Sequence, residues 1–130
     1  MPRVLVVEPD RSLSHTIEKY LAKYGFEVSA SATAQDAISK ADQSKPDLII
    51  LEVAMPKNNG VAFLQELRSY TDWLAVPVII YSHIPLEDTG LAETDWRKQG
   101  VVAYLYKPTN TLGDLLHNIQ DKLNNYEKAQ

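Results

Sequence analysis

Residues 47–60 read DLIILEVAMPKNNG. Leu48 to Leu51 is an unbroken apolar run with the length of a short strand, and it stops on an acid, Glu52. A strand apolar on both faces is what a parallel sheet covered by helices on each side requires. A carboxylate at the end of such a strand has to meet compensating groups, so the neighbouring strands decide what it does.

Working upstream, Pro46 closes the turn before this strand. Ala34, Ala37, Ile38 and Ala41 share one helical face, and Thr33 with Asp36 resembles a capping box at its start. FEVSA at 26–30 alternates like a short strand. Before it, Leu13, Ile17, Tyr20, Leu21 and Tyr24 fall on one helical face, and Gly25 is placed to end that helix. Val4 to Val7 is a first strand, rich in β-branched residues.

Downstream, Val61, Phe63, Leu64 and Leu67 mark a third helix, and Pro77 precedes the strand VIIYS at 78–82. Residues 83–93, with Pro85 and Gly90, read as loop, and a short helix over Thr94 to Gln99 ends at Gly100. VVAYLY at 101–106 is a fifth strand. A last helix carries Leu112, Leu115, Leu116, Ile119 and Leu123 on one stripe, and the domain is read as 1–125 with a short, frayed polar tail at 126–130. Five strands alternating with five helices indicate an α/β domain with a doubly wound parallel sheet.

Composition agrees. The 130 residues, 45% of them hydrophobic, suit one packed domain. The net charge is −4 and the 13 basic residues are dispersed, which argues against nucleic acid as the main partner. There is no cysteine, so disulfides and thiolate metal sites are excluded. No apolar run approaches the length of a membrane span and no signal peptide is visible, so a cytoplasmic protein without membrane contact is expected. Trp73 and Trp96 are expected to be partly buried.

Ligands of open parallel sheets collect beyond the carboxyl ends of the strands. Strand one delivers Glu8, Pro9 and Asp10 there, strand three Glu52, strand four Ser82 and His83, and strand five Lys107, Pro108 and Thr109. Each has a plain reading alone: Glu8 or Asp10 as helix N-terminal acids, Ser82 as a capping hydroxyl, Lys107 as solvated surface. Their convergence at one sheet edge is what points to a site. Other chemistries fit less well. Five glycines form no phosphate loop, His15, His83 and His117 lack paired ligand spacing, and Ser14 and His15 are helix neighbours that do not face each other.

With VLVVEPD, DLIILEVAMPKNNG, VPVIIYSH and YLYKP in place, residues 3 to 125 resemble a response-regulator receiver domain of two-component signalling. The resemblance implies a flavodoxin-like (CheY-like) sheet of order 2-1-3-4-5. It also implies an acceptor carboxylate at Glu52, a Mg2+-binding carbonyl at Ala54, a switch hydroxyl at Ser82 and a switch aromatic at Tyr104. Lys107 takes the place of the family's lysine, with a typically cis bond to Pro108. Partners implied are a histidine kinase, a phosphotransfer protein or a downstream effector, docking on the face of the fourth helix, fifth strand and fifth helix.

This sequence departs from the pattern at two points. Glu52 stands where the family has Asp, and Pro9 replaces the second metal-holding acid, leaving Glu8 and, one residue on, Asp10. Losing an acid removes an anchor for a cation that demands octahedral oxygen ligands. No resident cofactor is expected, with Mg2+ held weakly at most by Glu8, Glu52 and Ala54. A longer acid at 52 would reach toward the space of a phosphoryl group and bond to Lys107 and Ser82. The expectation is therefore an atypical, pseudo-receiver-like module. It would not be an enzyme, would signal independently of phosphorylation, would carry no output domain of its own, and would be locked in an active-like or inactive-like state. The alternatives are a working phosphoacceptor, a small-molecule-sensing flavodoxin-like module, and a scaffold with a vestigial site.

Overall fold

The computed structural model describes residues 1–55 and 60–129, with side chains as far as 124. The expected Met-Pro step at Pro56 and the rest of 56–59 lie outside the described residues. The strands are β1 (Arg3–Val7), β2 (Glu27–Ser31), β3 (Leu48–Leu51), β4 (Val78–Ser82) and β5 (Val101–Tyr106). The helices are α1 (Arg11–Ala22), α2 (Ala34–Gln43), α3 (Gly60–Leu67), α4 (Glu93–Lys98) and α5 (Leu112–Ala129). The strands form one parallel sheet in the order β2-β1-β3-β4-β5.

The unbroken apolar runs are explained by the two cores they serve. Val4, Val6, Leu48, Ile50, Ile79 and Tyr81 point to one face, where Ile17 and Leu21 of α1 and Leu115 and Ile119 of α5 cover them. Leu5, Val7, Ile49, Leu51, Val78 and Ile80 point to the other, beneath Ala37 of α2, Phe63 and Leu64 of α3 and Trp96 of α4. Side chains alternate across a strand, so a strand buried on both faces has no polar position to spare.

Several details differ from the sequence reading. Tyr24 is 51% exposed, because α1 ends at Ala22 and the residue falls in the turn beyond the buried stripe of Ser14, Ile17 and Leu21. Trp73 and Trp96 are fully buried, as the apolar face opposite β4 and β5 is deep enough to enclose both indoles. α4 begins one residue early, at Glu93, because Asp95 accepts a hydrogen bond from the Ala92 amide (2.8 Å) and sets the first turn there. The 83–93 segment contains a 3-10 turn at Leu86–Thr89 ended by Gly90 in the left-handed region. The α5 backbone continues to Ala129, through most of the expected tail.

The chain order reverses between β1 and β3: β2 lies on the far side of β1, while β3, β4 and β5 lie on the other. The carboxyl ends of β1 and β3 therefore flank the crevice that such a switch point opens.

Candidate functional site

Glu52 follows β3 directly, and its amide continues the ladder by donating to Val7 O (3.0 Å). Its side chain is 1% exposed. Five donors converge on its two carboxylate oxygens. Oε1 accepts from Lys107 Nζ (3.0 Å), the His83 amide (3.1 Å) and His83 Nδ1 (2.7 Å). Oε2 accepts from the Ala54 amide (3.1 Å) and the Ser82 hydroxyl. Burial opposes the charged form, but the bonds from Ser82, the Ala54 amide, Lys107 and the His83 amide outweigh it and lower the carboxyl from 4.5 to about 2.

Lys107 stands between two acids, 2.5 Å from Glu8 Oε1 and 3.0 Å from Glu52 Oε1. Burial by itself would lower its ammonium pKa, and bonding to Glu8 and Glu52 raises it instead. The ammonium also lies 5.7 Å from the Tyr81 ring centroid, a cation–π distance. Glu8 Oε2 accepts from the Asp10 amide (3.1 Å), so all four carboxylate oxygens of the acid pair have protein partners.

The sequence-derived residues fall into two groups. Glu8, Glu52, Ser82 and Lys107 meet as expected. Asp10 does not join them: its carboxylate accepts from the Ser12 amide (3.0 Å) and the Leu13 amide (3.2 Å) and serves as the N-cap of α1. At Ala54 the amide meets the site, donating to Glu52 Oε2 (3.1 Å). The Lys107–Pro108 bond is trans, with no cis peptide among the described residues. There the chain turns at once into a 3-10 turn over Lys107–Thr109, with Pro108 in its first positions and the Asn110 amide bonded back to Lys107 O (3.3 Å).

Tyr104 meets the site indirectly. The Ile84 amide donates to Ser82 Oγ (3.0 Å), and the Tyr104 hydroxyl donates to Ile84 O (2.7 Å). Glu52, Ser82, Ile84 and Tyr104 thus form one connected path from the sheet crevice to β5. The Tyr104 ring is 5.8 Å from that of Trp96, and a groove of about 250 Å3 opens between α4 and β5 beside Leu86, Arg97 and Val102.

Sequence reasoning placed His83 at the right strand end but gave it no role. It holds Glu52 with both its amide and its ring, although its own side chain is 65% exposed. The two residues lie 31 positions apart, and the pairing follows only from β4 lying beside β3.

The chain matches the response regulator receiver domain family over residues 4–120. It is 31% identical over 113 residues to Protein PilH of Pseudomonas aeruginosa, covering 85% of this chain and 88% of that protein. It is 35% identical over 108 residues to the KDP operon transcriptional regulatory protein KdpE of Escherichia coli, covering 83% of this chain but only 45% of that one. The CheY-like receiver domain protein of Methanospirillum hungatei superposes with a TM-score of 0.86 at 25% identity, covering 100% of this chain and 99% of that one. A two-sided parallel sheet of this strand order, with an acid–lysine–hydroxyl cluster at its switch point and a family match along most of its length, places this chain among the response regulator receiver domains.

Proposed function

We propose that this receiver domain signals without accepting a phosphoryl group, and that Glu52 acts as a built-in anion in place of a transferred one. The observation that carries the reading is the convergence of Ser82 and Lys107, a hydroxyl and a cation at separate strand ends, on the Glu52 carboxylate. A phosphoryl group would bring about two charges and three oxygens, where Glu52 brings one charge and two.

The donor set also disfavours a resident Mg2+. Each oxygen of Glu8 and Glu52 has a protein donor, and a cation would have to displace Lys107 to reach them. Pro9 offers no replacement ligand, and Asp10 is committed to the α1 cap. The arrangement therefore does not fit the metal, and in this reading the chain has no phosphotransfer activity.

The output in this reading is a protein contact. The path from Glu52 through Ser82 and Ile84 to Tyr104 reaches the groove between α4 and β5. A protein partner, kinase, phosphotransfer protein or effector, would dock on the α4–β5–α5 face, and Glu52 would hold that face in one state.

Incubation with acetyl phosphate or beryllofluoride plus Mg2+ tests this by intact mass and by amide chemical shifts. The expected result is no adduct and no shift at Ser82, Ile84 or Tyr104. Glu52→Asp combined with Pro9→Asp should restore both. A stoichiometric acyl phosphate on the unmodified chain would end the proposal.

A further inference from the structure

A second cleft lies on the other side of Glu8. Between α1 and α2, above the end of β2, is an open cleft of about 340 Å3, within the size range of small-ligand sites. Its floor holds an unusual feature: the Ser31 hydroxyl is buried and makes no hydrogen bond of normal geometry. It is near enough to the Asp36 carboxyl to help hold that group below its usual range, yet its own hydrogen-bonding capacity is unfilled. Buried polar atoms without partners are rare and call for one. Ser14, also buried, lines the same space.

The charges around the cleft divide into spent and unspent. Glu8 is bonded to Lys107 (2.5 Å), and Asp36 is bonded to Lys40 (3.2 Å), whose ammonium also donates to Ala30 O. Arg11 and Glu18 line the cleft and make no ion pair or side-chain hydrogen bond with another described residue. They sit seven residues apart on one face of α1, about 10 Å along the helix axis. The wall thus offers a cation at one end, an anion at the other, and hydroxyls between. With Glu8 spent on Lys107 and Asp36 on Lys40, Arg11 and Glu18 remain as one unspent charge of each sign.

We infer that this α1–α2 cleft binds a free basic amino acid of the arginine or lysine type, with its carboxylate on Arg11, its distal cation toward Glu18 and its α-ammonium donating to Ser14 and Ser31. The span between Arg11 and Glu18 is too long for an α-amino acid whose only two charges are adjacent. The ligand's carboxylate and distal cation match the two unspent charges one to one, and its α-ammonium has the Ser14 and Ser31 hydroxyls as acceptors. An anion alone would meet Glu8, Glu18 and Asp36, and a simple cation would leave Arg11 without a partner. The site stands apart from the Glu52 proposal, since nothing in it depends on whether residue 52 accepts a phosphoryl group.

The test is an amide chemical-shift titration of the full chain with L-arginine, beside agmatine, which lacks the carboxylate, and sodium acetate, which lacks the cation. L-arginine should give saturating shifts at Ser14, His15, Ser31 and Asp36, with agmatine and acetate at least about 10-fold weaker. Arg11→Gln and Glu18→Gln, both changes away from the core, should each weaken L-arginine binding about 10-fold and leave the melting temperature within about 1 °C. Ser31→Ala should weaken L-arginine binding while the amide spectrum stays that of the folded chain, because it removes the hydroxyl on the cleft floor and leaves the core unchanged. Absence of saturation by about 10 mM L-arginine, an affinity below the millimolar class, overturns the inference. So does equal binding of the three probes, or a Ser31→Ala variant that binds as the parent does.

Discussion

Replacing Lys107 by Met keeps much of the side chain's apolar length and removes the one cation shared by two buried carboxylates. At 2.5 and 3.0 Å, and with an effective dielectric of about 20, each attraction is about 5 to 7 kcal/mol before desolvation is counted. Desolvating the three groups offsets much of this, so the net worth of the cluster is far smaller. The substitution, however, leaves Glu8 and Glu52 buried together without their shared cation, held only by Ser82, His83 and the amides of Ala54 and Asp10. Removing one partner of a buried pair typically costs about 3 to 5 kcal/mol, a large share of the 5 to 15 kcal/mol that holds a domain together.

The pH dependence makes this prediction specific. The folded Glu52 carboxyl titrates at about 2 against 4.5 when unperturbed, so ionised Glu52 stabilises the fold. The sign follows from proton binding: that stability is fully present above about pH 4.5 and is lost as pH falls through about 2, with a total of about 3 kcal/mol. Without Lys107, protonating Glu52 relieves its repulsion with the neighbouring carboxylate. Urea denaturation of Lys107→Met should show its largest deficit at pH 7 and a smaller one at pH 4, while the parent weakens on acidification. A deficit below about 1 kcal/mol at pH 7, or one that grows toward pH 4, would show that the three charges are not coupled as the geometry requires.

Other substitutions test different parts of the fold. The Arg68 guanidinium donates to the carbonyls of Gln99 (2.8 Å), Trp73 (2.6 Å) and Val76 (2.7 Å), tying α3, the turn before β4 and the end of α4 together. Arg68→Met leaves these carbonyls without that donor, and thermal melting should show a loss of about 3 kcal/mol or more with no change in the amide shifts of Ser82. Gly60→Ala places a methyl 2.6 Å from Val53 Cα, so a loss of about 1 to 3 kcal/mol in urea and displaced Ala54 and Glu52 amide signals are expected. Asp10→Ala removes the α1 cap and should cost about 1 kcal/mol by the same denaturation assay, without altering any Mg2+ response.

The fold was legible because its strands carry their own evidence. Val4–Val7, Leu48–Leu51 and Val78–Tyr81 are apolar at every position, and only a sheet with a core on each side asks for that. The four residues of the site were legible because each sits one or two steps beyond such a run. What failed to show were choices made between elements. Tyr24 satisfies the α1 period, yet the helix ends at Ala22 and leaves it in the turn. Asp10 had two readings, metal-side acid and helix cap, and two free amides one turn away decided for the cap. His83 gains its role from a carboxylate on a neighbouring strand, and no local pattern in the sequence carries that pairing.

The Glu52 cluster has a consequence for regulation under the proposed reading. A two-state surface moves only when something binds its states with different affinity. A transferred phosphoryl group does this by arriving and leaving, whereas a side chain with five protein donors is present in every copy of the chain. Its contribution sets a fixed bias on the Ser82–Tyr104 path and cannot itself carry a signal. Control must then enter through a group that competes for one of those donors or through a partner that prefers one position of Tyr104. His83 is the donor most open to competition, since its side chain is 65% exposed while Ser82 is fully buried and Lys107 is 16% exposed. If a partner withdraws His83, Glu52 loses two of its five donors but keeps Ser82, so the path to Tyr104 weakens without breaking. A graded response at the α4–β5 groove, rather than an all-or-none one, is what this arrangement favours.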